Sequence, residues 1–171
     1  MVQEKTKSEP WLRGTMANVP VIVRAVLHAL ELACEDLERW CLPLTDEQIN
    51  ARPCGIAPVS FHLRHIPRSI DRLLTYAEGR QLSKEQLSAL KAELQRDATA
   101  GELWRELSAG LKNAAVRIRK LTPEMFDEQR TVGRQQLPTT VGGLLVHIAE
   151  HTQRHVGQAI TTAKIVGSSD F

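Results

Sequence analysis

Apolar side chains recur every three or four positions in four long stretches of this chain, the spacing that gathers them on one face of an α-helix. Val23, Val26, Leu27, Leu30, Cys34, Leu37 and Cys41 predict a first helix from about Asn18 to Cys41. Asn18 is suited to cap it, Pro20 is tolerated in its first turn, and Pro43 lies just beyond its end. Ile66, Ile70, Leu73, Leu74 and Ala77 predict a second helix from Pro58 to Glu78, stopped by Gly79. Pro67 falls inside it and should kink it or break a turn, because proline lacks an N–H and its ring meets the carbonyl one turn back. Ser83 with Gln86, and Thr99 with Glu102, have the spacing of capping boxes. The first opens a short helix to about Leu94. The second opens a longer one to about Leu121, striped by Trp104, Leu107, Leu111, Ala114, Ala115 and Ile118. A last helix runs from about Thr139 to Val166, with Gly167 as its stop.

Between these elements, residues 45–58 read as a connector with two prolines and a glycine, and residues 122–138 as a second, long one in which Arg130 to Leu137 can form a short extended piece. The expected fold is all-α: a four-helix bundle with a short extra helix. An up-and-down order is the simplest, and the long connectors also permit a crossover. Residues 1–14 read as a flexible lead-in, 15–167 as one bundle domain and 168–171 as a tail.

Composition narrows the function. With 171 residues, 42% of them hydrophobic but only 4% aromatic, the core must be built of Leu, Ala, Val and Ile, which suits packed helices. A net charge of +2 with mixed signs along the chain offers no basic stripe for nucleic acid and no polybasic patch for a membrane surface. The best apolar run, Val19 to Leu32, is broken by Arg24, His28 and Glu31, and the start MVQEKTKSEP lacks the apolar region of a signal peptide. A cytoplasmic location is the expectation. Cys34, Cys41 and Cys54 have no Cys-x-x-Cys spacing and read as reduced, buried thiols.

The histidines carry the chemistry. Five of the six lie in two predicted helices: His62 and His65 in FHLRHI, and His147, His151 and His155 in HIAEHTQRH. Imidazole is the commonest side-chain ligand for zinc and similar ions. An i, i+4 pair is separated by about 6 Å and about 40° and can share one ion, whereas eight residues turn the helix by about 80° and separate His147 from His155 by about 12 Å. On a wheel of the last helix, with Val141 at zero, His155 falls about 40° and His151 about 80° from the apolar centre, and His147 about 120° away on the polar flank with Glu150 and Arg154. His151 and His155 are the pair that borders the buried face. In the second helix the wheel favours His62 over His65 as the partner from across the bundle; His28, in the first helix, reads as a core histidine. HIAEH also fits the pattern of inverted zinc peptidases with Glu150 as base, but those enzymes have a large mixed fold and the wheel turns Glu150 outward. No histidine has a glutamate three residues before it, which argues against a di-iron carboxylate bundle.

Two stretches, SFHLRHIPRSIDRLLTYAEG (60–79) and LPTTVGGLLVHIAEHTQRHVGQ (137–158), resemble the second and last helices of the DinB-like family, also called DinB/YfiT-like, whose last helix carries His-x-x-x-His followed by Gly-Gln. With the helix order, the resemblance covers about residues 18–166. It implies a four-helix bundle, often dimeric, and a divalent ion such as Zn, Ni, Fe or Mn held by one histidine of the second helix and two of the last. Carried over, the ligands are His65, His151 and His155, with His62 and His147 as alternatives. Val156, where many relatives have Arg, and Pro67 depart from the family pattern. The resemblance further implies a metal-dependent enzyme, a thiol S-transferase or a hydrolase, acting on a small molecule with a low-molecular-weight thiol as partner, and a homodimer. The alternative is a non-catalytic, metal-stabilised, stress-associated bundle.

Overall fold

The computed structural model describes residues 7–95 and 98–168. Residues 1–6 of the expected lead-in and 169–171 of the expected tail lie outside the described residues. Among the described residues six α-helices form: α1 (Val21–Cys41), α2 (Asp46–Asn50), α3 (Val59–Ala77), α4 (Lys84–Lys91), α5 (Ala100–Ile118) and α6 (Val141–Gly167). A two-stranded antiparallel hairpin, β1 (Gln129–Val132) with β2 (Leu137–Thr140), precedes α6, with Gln129 opposite Thr140 and Val132 opposite Leu137.

α1, α3, α5 and α6 are the expected bundle. Leu37 of α1, Leu63, Ile66, Ile70 and Leu74 of α3, Leu103, Leu107 and Ile118 of α5 and Leu145 and Ile148 of α6 are fully buried and fill its interior. α1 packs against α6 and α5, and α3 packs against the same two helices. The order around the ring is therefore α1, α6, α3, α5. The α1–α3 and α5–α6 connections cross the bundle; the crossover topology replaces the simple up-and-down one.

Several boundaries differ from expectation. α1 starts at Val21, not Asn18, because a residue before proline disfavours the helical region; Pro20 sits extended (φ −50°, ψ 142°) and its carbonyl accepts the first helical bond, from the Arg24 N–H at 2.8 Å. The connector after α1 holds an extra short helix, α2, opened by a capping box between Thr45 and Gln48. α3 runs through Pro67 without a break. Pro67 is buried against Gly110 of α5, where an added Cβ would come within 2.3 Å of the Pro67 Cβ; the missing side chain at Gly110 makes room for the ring. The first part of the lead-in within view, residues 7–14, lies along α1: Pro10 is buried, Arg13 pairs with Glu31 at 2.8 Å and Glu35 at 2.6 Å, and Lys7 pairs with Glu35 at 2.7 Å. Cys41 is buried and Cys34 half-buried, but Cys54 is exposed, at the surface turn 53–55 (φ 51°), so the expectation of three buried thiols fails there. No helix of the described residues is long and apolar enough to cross a membrane.

The hairpin fixes where α6 begins. Val141 N–H donates to the Glu128 carbonyl at 3.1 Å and Gly142 N–H to the Phe126 carbonyl at 2.9 Å, while the Thr140 hydroxyl caps the Gly143 N–H. The phase of every histidine on α6 is set from this anchor.

Candidate metal centre

α3 and α6 lie side by side, and their histidines meet between them. His65 Nε2 and His151 Nε2 are 2.9 Å apart, and the His155 ring centroid lies 4.3 Å from that of His65 and 4.5 Å from that of His151. One ligand nitrogen from each of these three residues falls within 4.8 Å of the other two, and all three side chains are half-buried. Two nitrogens each about 2.1 Å from a common ion lie roughly 3.0–3.4 Å apart at ordinary bond angles, so the observed spacing matches a shared ion with little movement.

The surroundings favour neutral imidazoles on α6, the form that ligates. Burial, reinforced by the neighbouring His65, pushes His151 down to about 4 and His155 down to about 3; burial likewise takes His62 to about 4. His65 is held from behind. Its Nδ1 lies 2.7 Å from Oε2 of Glu93, and the other Glu93 oxygen accepts from Arg72 at 2.7 Å. Burial alone would raise the Glu93 carboxyl, but the bonds from His65 and Arg72 outweigh it and hold the group below its usual value. An ionised carboxylate only accepts, so the His65 proton sits on Nδ1 and the lone pair of Nε2 points at His151. Phe61 stacks on the same ring, with centroids 5.1 Å apart. His151 Nδ1, in contrast, is buried with no hydrogen-bond partner among the described residues. Three converging imidazoles, one of them held through its Nδ1 by a carboxylate, fit a divalent ion of the zinc, nickel, iron or manganese class.

The other histidines fall outside this convergence. The wheel placed His62 deeper than His65, and it is: only 2% exposed. Depth did not make it the member of the cluster, however. Its Nδ1 meets His155 Nδ1 at 3.0 Å, but His62 is not among the three residues whose nitrogens converge. His147 bonds Glu150 at 2.7 Å on the outer flank, with 45% of its side chain exposed. Glu150 is exposed too, away from the cluster, where it cannot act as a base for it. His28 is buried in α1 beside the Thr15 hydroxyl at 3.2 Å.

Sequence reasoning missed Glu93 and Arg72. Glu93 lies in the turn after α4, one glutamate among several, and no spacing ties it to His65. The only available sign was the run of arginines at Arg64, Arg68 and Arg72, one helical turn apart, which marks a polar face of α3 awaiting a partner.

No curated protein shows significant similarity to the chain. The family model described as the DinB superfamily, in contrast, matches residues 29–159, a span that takes in most of the bundle and all three converging histidines. On that match, which covers well over half of its length, the chain belongs to the DinB superfamily.

Proposed function

We propose that His65, His151 and His155 hold a divalent metal ion and that the centre is catalytic, as in a thiol-dependent S-transferase. The observation that carries this reading is the convergence of three imidazoles from two helices, with no cysteine and no fourth histidine in the cluster among the described residues. A structural zinc site is normally closed by four protein ligands; a set of three leaves room for a small molecule. The ion, when bound, would supply Lewis acidity and lower the pKa of a coordinated thiol or water.

The protein's own groups prepare the rest. Glu93 fixes the His65 ring, and the burial that depresses His151 and His155 keeps both free of protons near neutrality. A cavity of about 550 Å³ opens beside His62, walled by Ile56, Ala57 and Gly157 and bordered by Arg154, Gln158 and Thr161. Its apolar wall and polar rim suit a small electrophile or the tail of a low-molecular-weight thiol. Hydrolysis at the same centre is the second chemistry the three-ligand set supports. A homodimer, which the family resemblance implies, belongs to the same proposal and is read by sedimentation.

The test is metal analysis after reconstitution and dialysis, followed by assays of the loaded protein with a panel of thiols and electrophiles. One equivalent of metal with thiol-dependent turnover is expected. Stoichiometric metal without turnover would leave the non-catalytic, metal-stabilised bundle as the reading.

A further inference from the structure

α4 is an odd element. None of its residues is buried, and Leu87 and Leu90, with Leu94 just beyond, are 39%, 43% and 59% exposed. Hydrophobic burial therefore does little to hold the segment 84–95 in place. Polar contacts from α3 take over. Arg64 donates to the carbonyls of Gln95 and Ala92, Arg68 donates to the Ala89 carbonyl at 2.9 Å, and Arg72 donates to Glu93 at 2.7 Å. Arg68 is itself steadied by Glu106 of α5, at 2.5 and 3.1 Å. Three arginines at i, i+4 and i+8 thus grip successive points of one segment. The segment delivers a single side chain to the interior: Glu93, 5% exposed.

A buried carboxylate is costly unless both oxygens are paired, and here one meets Arg72 and the other the Nδ1 of His65. Glu93 touches none of the converging nitrogens; it acts on them only through the His65 ring. We propose that Glu93 is a positioning residue of the centre, and that α4 with its arginine row exists to place it. The proposal rests on the metal-site reading above. Without Glu93, His65 can take the other tautomer or turn its ring, and either change removes the Nε2 lone pair from the point where His151 and His155 aim.

The test compares wild type, Glu93→Gln and Glu93→Ala, all in the full chain, with zinc as the probe and a chromophoric chelator as competitor. Partners of this kind contribute about 10–100-fold to metal affinity, and the Ala variant should lose that much, the Gln variant less, because its carbonyl still accepts from Nδ1–H. Proton–nitrogen NMR of the metal-free protein should show His65 carrying its proton on Nδ1 in wild type and Glu93→Gln, and losing that form in Glu93→Ala. Wild-type zinc affinity retained in both variants would overturn the proposal, as would an unchanged His65 tautomer in Glu93→Ala. Failure of wild type itself to bind zinc would overturn the metal-site reading first, and the proposal with it. Should Glu93→Ala not fold, the isosteric Glu93→Gln carries the affinity comparison alone, and an unchanged affinity in it sinks the idea.

Discussion

His65 and His151 face each other across 2.9 Å, yet the two helices support them in opposite ways. Behind His65 stand a carboxylate, an arginine and a stacked phenyl ring. Behind His151 there is a buried nitrogen without a partner among the described residues. The α3 side is preorganised by side chains from another part of the chain. On α6, His155 meets His62 at 3.0 Å, whereas His151 is placed by helix phase, set by the hairpin and the Thr140 cap. An imidazole braced from behind thus faces one whose position depends on its own backbone.

The largest test of that contrast removes either half. His151→Ala and His65→Ala should each abolish stoichiometric metal binding while leaving helicity nearly intact, as read by metal analysis after dialysis beside circular dichroism. Unchanged metal content in either variant removes that residue from the site.

Acid gives the next effect. In the metal-free protein His62 and His151 sit near 4 and His155 near 3, against about 6.5 in an unfolded chain. As pH falls below about 6.5 the unfolded chain takes up protons that the folded one refuses, so stability is full above that value and declines until the folded groups titrate near 3 to 4. Urea midpoints at pH 7.5 and pH 5 should show the decline, and saturating zinc should steepen it, because protons then also displace the ion. A flat profile would mean that the α6 histidines are not as dry as their burial indicates.

A smaller effect probes the backbone dependence of the α6 side. Thr140→Ala removes the cap and should cost about 1 kcal/mol in denaturant unfolding. Metal affinity should fall more in this variant than in Thr99→Ala, which removes an equivalent cap from α5, a helix that carries no histidine of the cluster. Equal affinities in the two would break the comparison. Smallest of all is His147→Ala: its ring pairs with Glu150 on the outer flank, and zinc affinity should change by less than about twofold in competition titrations.

How much of this was legible depended on what each pattern encodes. His151 and His155 could be read because an i, i+4 pair beside an apolar stripe has one geometric meaning. The wheel favoured His62 over His65, since a wheel measures depth, whereas convergence depends on the direction in which a nitrogen points. The deeper His62 ended up beside His155. Resemblance to the family named His65 where periodicity did not. The four amphipathic stripes were plain, but a stripe says that a face is covered and not by which neighbour, so the ring order α1, α6, α3, α5 emerged only in three dimensions. α2 was hidden differently: Thr45 and Gln48 have the same spacing as the boxes at Ser83 and Thr99, but the prolines and glycine around them gave the segment the composition of a loop. Glu93 was beyond reach, because its meaning comes from a contact 28 residues away in sequence.

The ring order has a consequence for biosynthesis. α6 packs against both α1 and α3, and two of the three converging histidines lie on it. While a ribosome is still making residues up to Thr140, the nascent chain holds α1 and α3 with the faces that α6 will cover bare, and no pair of opposed imidazoles exists. Closure of the bundle and convergence of the three histidines therefore both wait for the last helix.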